Sequence, residues 1–192
     1  MHTIEPYYNW RKYYRAESDQ KSPFFGRVYS EFYFTNTVYN YYIHPQWDDF
    51  GSETLFLKLL YTDYEKGFTI IEFIGEWNDC LFNDVMFLKR NVIETLVESG
   101  INKFILIGEN VFNFHFFDSS YYEEWREEIE DGWILAMNFQ DHVRKEFIQE
   151  GLNDYFIIGG NFNNFSGWRS YKPQKLYGRI VRDLSFTLDS PQ

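Results

Sequence analysis

The segment His-Phe-Phe-Asp-Ser-Ser-Tyr-Tyr-Glu-Glu-Trp, residues 115–125, sets Asp118 and two hydroxyls, Ser119 and Ser120, between an aromatic run and an acidic stretch. A serine in such a place can attack a substrate, accept a phosphoryl group or cap a helix. Attack needs a histidine base within hydrogen-bond reach and an oxyanion hole. His115 and His142 are present, but no Gly-x-Ser-x-Gly elbow occurs. His115 reads as packed among its aromatic neighbours and His142 as solvated at a helix start. No catalytic residue is assigned, and the chain reads as a non-enzyme. Capping is the plainest account. Ser120-Tyr121-Tyr122-Glu123 matches the S-x-x-E capping box, in which the serine hydroxyl accepts the third amide of the helix and the glutamate reaches back.

A second candidate lies in 159–173, GGNFNNFSGWRSYKP. Phe162, Phe165 and Trp168 among asparagines and glycines suit stacking on a sugar or base. They equally suit an Ω-loop packed by its own aromatics. Gly159-Gly160 is no phosphate loop, because neither G-x-G-x-x-G nor G-K-[ST] follows. His44, Asp48 and Asp49 around Trp47 match no metal-ligand spacing and read as a polar loop, so neither a metal nor a cofactor is expected. The acids Glu123, Glu124, Glu127, Glu128, Glu130 and Asp131 form a solvated face or a dock for a basic partner.

Composition narrows the partners. The net charge of -11 over 192 residues repels phosphate backbones and anionic membranes, so nucleic acid and membrane are not expected. Hydrophobic residues at 44% exclude disorder on composition. The 21 Phe, 16 Tyr and 6 Trp make a bulky, strand-friendly core. The single cysteine, Cys80, excludes an internal disulfide or a multi-thiolate metal site. No apolar run has the length of a membrane span and no signal-type segment opens the chain, so a cytoplasmic location is expected.

The elements that must position these residues follow from periodicity. A short helix is expected over 5–16, with Tyr7, Trp10 and Tyr14 on one face. Strands are expected at 25–34 and 38–43, with 44–52 as a loop. Residues 54–63 and 68–75 read as a hairpin. Strands at 103–108, 133–139 and 155–158 alternate with helices at about 84–99, 121–130 and 139–150. The order implies a largely parallel sheet. A final strand is expected over 176–186. Residues 25–34 and 177–186 share an aromatic-Gly-Arg start and a final Phe, which places them in one extra sheet edge or is chance.

Four phrases resemble the STAS domain, the fold of anti-sigma factor antagonists. FTIIEFIGEWND (68–79) is similar to its second strand and following Gly-Glu turn, and FILIGENVFNFHFFDSS (104–120) to its third strand and Asp-Ser-Ser signature. GWILAMNFQDHVRKEFIQEGLNDYFII (132–158) resembles the strand, helix and final strand, and TLFLKLLYTDYEKG (54–67) the opening hairpin. The residue after the two serines is Tyr121 where the family has Gly, and the turn after Glu76 reads Trp-Asn-Asp. The resemblance implies a phosphoacceptor at Ser119 or Ser120 with Asp118 beside it, and a kinase or regulator as protein partner. The expected protein is thus one α/β domain. A mixed sheet with helices packed on it forms a STAS-like core at 53–158. A β-rich extension (1–52) precedes it, and a loop with a C-terminal strand (159–192) follows. The function implied is that of a regulatory interaction module; the alternative is a small-ligand binder using the aromatic loop.

Overall fold

In the computed structural model, which describes residues 2–188, the apolar runs of the sequence become strands buried on both faces. The main sheet has five strands in the order β4 (Leu55–Asp63), β5 (Phe68–Asn78), β6 (Lys103–His115), β7 (Trp133–Met137) and β8 (Ile157–Ile158). β4 runs antiparallel to β5, and the other neighbours are parallel. The α/β class, the mixed sheet and the single-sheet arrangement of these five strands follow the sequence expectation. β6 runs well past residue 108, and β8 is only two residues long.

Alternation along the strands sorts the side chains between two layers. Leu57, Ile71, Phe73, Phe104, Leu106 and Ala136 face one way. They meet α1 (Asp84–Leu88), a π-helical turn (Lys89–Ile93), α2 (Glu94–Glu98), α3 (Ser120–Glu128) and α4 (Asp141–Gln149). Phe68, Ile70, Ile105, Ile107 and Leu135 face the other way, against Trp10, Phe162, Trp168 and the helix α5 (Pro173–Leu188). Strands covered on both sides lose the polar half of the usual alternation, which is why the sequence reads as continuous apolar runs. Gly75 sits where β5 passes the start of β4. A Cβ there would lie 2.0 Å from the Thr54 carbonyl, and its φ of +122° is open only to glycine.

The chain ends depart from expectation. Residues 176–186 lie within α5, not in a strand. Leu176, Tyr177, Ile180 and Leu184 fall on one face at helical spacing and pack on the sheet, Tyr177 stacking on Phe68 at 4.0 Å. Pro173 opens the helix, where its missing N–H costs nothing. Residues 25–34 form no strand and 177–186 are helical, so among the described residues the two do not share a sheet edge. Their period-2 pattern is real, yet its inward members are polar. Arg27 and Tyr29 reach the buried carboxylate of Asp48, while Val28 is 95% exposed between them. The expected helix at 5–16 is a series of turns, with Tyr13 and Tyr14 N–H donating to the Trp10 carbonyl at 2.8 and 3.1 Å. The first 43 residues carry three short strands, β1 (His2–Ile4), β2 (Thr37–Val38) and β3 (Tyr41–Ile43), ordered β1-β3-β2. The loop 44–52 is not solvated throughout: Asp48 is buried, with Lys58 Nζ at 3.1 Å and Arg27 Nη1 at 3.3 Å. Among the described residues no helix is long and apolar enough to cross a membrane.

Between α1 and α3 a lysine does what apolar contact cannot. Lys89 is fully buried, and its Nζ lies 2.8 Å from Glu128 and 3.4 Å from both Glu94 and Glu124. Arg90 adds contacts to Glu94 and Glu124. Two members of the acidic run are therefore spent within the fold. Replacing the cation leaves three partly solvated carboxylates facing one another. Lys89→Met is expected to lower stability by about 2–3 kcal/mol, somewhat below the usual cost of breaking a buried pair because the carboxylates keep some water. Urea denaturation checks it; an unchanged midpoint would show that the cluster contributes nothing.

Candidate functional site

The Asp118-Ser119-Ser120 turn lies between the end of β6 and α3. Ser120 N–H donates to Asp118 Oδ1 at 2.8 Å, and Glu123 N–H donates to the Ser119 carbonyl at 2.9 Å. The cap is the aspartate, not the expected Ser120 hydroxyl with Glu123. Ser119 already has helical backbone angles (φ -91°, ψ -5°) and makes no side-chain cap. Ser119 is the boundary residue, and the carboxylate that takes a free first-turn amide comes from Asp118 just before it. Ser119 is half-buried and Ser120 exposed.

Beneath this turn lies a polar cluster that the sequence reading did not single out. Asp79 follows β5, and its N–H donates to the His115 carbonyl at 2.9 Å. Its Oδ1 accepts Val85 N–H at 2.9 Å, and its Oδ2 accepts the buried Tyr122 hydroxyl at 2.5 Å. Asp79 thus ties the end of β5 to three elements, its amide reaching β6 and its carboxyl α1 and α3. Burial pushes it up to about 7, with the Tyr122 hydroxyl and Val85 N–H offsetting part of the rise. Asp84 Oδ2 accepts Asn78 N–H at 2.7 Å and the Thr54 hydroxyl at 3.3 Å, and burial raises this group too.

Closer to solvent, Glu76 accepts from Asn78 at 2.9 Å and Tyr39 at 2.7 Å. His115 Nε2 lies 3.0 Å from Glu76 Oε1 and 3.0 Å from Asn113 Nδ2. His115 is therefore an exposed partner of a carboxylate, not a ring packed among aromatics. His142 is exposed as expected, with Nε2 2.8 Å from the Phe112 carbonyl. Cys80 donates its thiol proton to the Phe116 carbonyl at 2.7 Å, at the lip of an open cleft of about 260 Å³ shared with His115 and Glu146. All of these groups sit at the carboxyl ends of parallel strands, where open α/β sheets carry their sites. The signal in the sequence was the polar string Glu76, Asn78, Asp79 and Asp84 closing an otherwise apolar run.

The aromatic loop is built differently. Phe162 and Trp168 are buried and Phe165 half-buried, so the loop is packed by its own rings and offers a ligand no stacking face from the first two. Trp168 Nε1 donates to Glu109 Oε1 at 2.8 Å, and Arg169 Nη2 lies 2.6 Å from Glu109 Oε2. Asn138 bridges Glu109 (2.9 Å) and Phe165 N–H (2.6 Å). Glu72, buried in β5, accepts Tyr7 N–H at 2.9 Å with Arg169 at 3.7 Å. Burial pushes this carboxyl up to about 7, the Tyr7 amide and Arg169 holding it lower than burial alone would.

Solved structures similar to the chain include two of one protein. The Bacillus cell fate determinant SpoIIAA in its phosphorylated form is 15% identical with a TM-score of 0.40, the match covering 65% of this chain and 98% of that one. The anti-sigma factor antagonist SpoIIAA in its unphosphorylated form is 16% identical with a TM-score of 0.40, covering 60% and 97%. No family model and no curated protein matches the chain.

Two outcomes follow from this geometry. Asp118→Ala is expected to cost about 1 kcal/mol as a lost cap, and Ser120→Ala less than half of that; equal losses in urea titrations would restore the hydroxyl cap. For Glu72, the folded chain holds a proton between about pH 4.5 and 7 that the unfolded chain has released. Its contribution to stability therefore falls as pH rises through that window and levels off above it. Glu72→Gln keeps an acceptor for Tyr7 N–H and does not titrate. Relative to wild type it is expected to gain roughly 3 kcal/mol between pH 5 and pH 8. A constant difference in urea midpoints across that range would refute it.

Proposed function

We propose that the chain is a non-enzymatic regulatory module that docks a protein partner, a kinase or another regulator. Its docking face is the edge formed by the carboxyl ends of β5 and β6 and the first turn of α3. Phosphorylation of Ser119 or Ser120 switches that face. The observation that carries the reading is that Asp118 does the capping. It leaves both hydroxyls outside the cap, with Ser120 in solvent. The non-enzymatic part is supported by the histidines. His115 lies against Glu76 and Asn113, and His142 against the Phe112 carbonyl, so neither is committed to a serine as its base.

The physical consequence of phosphorylation is direct. A phosphate brings nearly two negative charges and competes with the Asp118 carboxylate for the free amides of the first turn. That rearranges the turn and charges a face that accepted a partner. The ligand-binding alternative loses support because two of its three stacking residues are buried.

The test uses the protein from its native cells. Mass spectrometry of the intact chain and its peptides is expected to find one phosphate on Ser119 or Ser120. Ser120→Asp and Ser119→Asp are expected to keep the far-UV spectrum and lose a partner that wild type and the alanine variants retain. Wild-type, alanine and aspartate forms that recover the same partners would sink the switch.

A further inference from the structure

Asp79 stands in the connection from β5 into α1 and Asp84 opens α1, and both carboxyls are buried. Asp84 Oδ1 has no hydrogen-bond partner among the described residues. The groups facing the pair come from every element around it. α3 supplies the Tyr122 phenol and β5 supplies Glu76 and the Trp77 indole. The segment before β4 supplies the Ser52 and Thr54 hydroxyls. β6 supplies only the His115 carbonyl, since its imidazole is turned to Glu76. Phe147 of α4 and Phe156 close the pocket with apolar rings, packing on Trp77 at 5.9 Å and on Tyr122 at 5.5 Å. Among the described residues no cation stands with these groups. Two buried carboxyls without a counter-charge beside them do not both ionise readily.

We propose that Asp79 and Asp84 hold a proton between them near neutral pH. With Tyr122 they form a proton-operated latch that clamps the first turn of α3 to α1 and loosens when the proton leaves. The latch goes beyond the regulatory reading and requires no phosphorylation. Its mechanism is electrostatic. Tyr122 lies two residues beyond Ser120, and its hydroxyl donates to the same carboxyl that accepts the first amide bond of α1, from Val85. With one proton, both bonds stand and the pair itself carries a single negative charge. With none, two buried negative charges lack a counter-charge, and moving Tyr122 outward admits water to solvate them. The rise of Asp79 to about 7, caused first by burial and in part by Asp84, places the transition within the physiological range. Linkage fixes the sign: the closed form binds the proton more tightly, so closure is favoured below that pH and lost above it.

Native-state amide exchange at about pH 5.5 and about pH 8.5, corrected for intrinsic rates, reads the latch directly. The probes are Glu123 N–H, bonded to Ser119, and Val85 N–H, bonded to Asp79. In wild type, protection of both is expected to fall on the order of tenfold from the lower to the higher pH. Glu72→Gln, which removes the other carboxyl that titrates near 7, is expected to leave that fall intact. Asp79→Asn is expected to abolish it. If Asp79→Asn does not fold, Tyr122→Phe serves: Glu123 then loses its pH dependence while Val85 keeps it. Wild-type protection that does not change with pH, or a fall that survives in Asp79→Asn and in Tyr122→Phe, overturns the latch. Because neither a partner nor a phosphate enters the measurement, its failure is distinct from failure of the docking reading.

Discussion

The central constraint is the parallel pairing of β5 with β6, two strands without a solvent face through most of their length. Parallel strands need coverage on both sides, and each layer here answers one side. The crossover helices α1 to α4 cover the first. The second belongs to Trp10, the 159–171 loop and α5, which bring their own aromatic and aliphatic stripe. The segments outside the central alternation therefore complete the core. An edge of Phe68 or Ile105 left open would expose a large apolar patch, which soluble chains rarely tolerate.

Layers built from bulky aromatics leave few places for polar atoms, so those that are buried act as fasteners. Asp79 ties four elements through three hydrogen bonds, Lys89 joins α1 to α3, and Glu72 and Glu109 tie the N-terminal segment and the loop to the sheet. Such groups are costly to bury unless satisfied, and each is held by partners from different parts of the chain. Burial, more than the lack of a cation, keeps a proton toward neutral pH on Glu72, 3.7 Å from Arg169, and on Asp79. This makes the cohesion between layers sensitive to pH at the same end of the sheet that carries Ser119 and Ser120.

The amino-acid sequence by itself determined the alternation of strands and helices from 55 to 158, because covered strands and amphipathic helices imprint their own short-range periods. It also determined that α3 begins at the Asp-Ser-Ser turn and buries Tyr122 and Trp125. Which side chain caps that helix was decided by one residue's backbone angles. Ser119 being helical moved the role to Asp118. Only the tertiary structure decided the two ends. Residues 176–186 carry apolar positions that fit a strand or a helix, and the open sheet face at Phe68 and Trp133 selects the helix. Residues 25–34 alternate as a strand does, but the buried charge that their inward side chains satisfy, Asp48, lies some twenty residues on, so no local rule identifies it. The burial of Trp168 and the meeting of Asp79 with Tyr122 are likewise contacts across long separations. Local periodicity reports which residues seek cover; what covers them depends on which distant surface the fold leaves vacant.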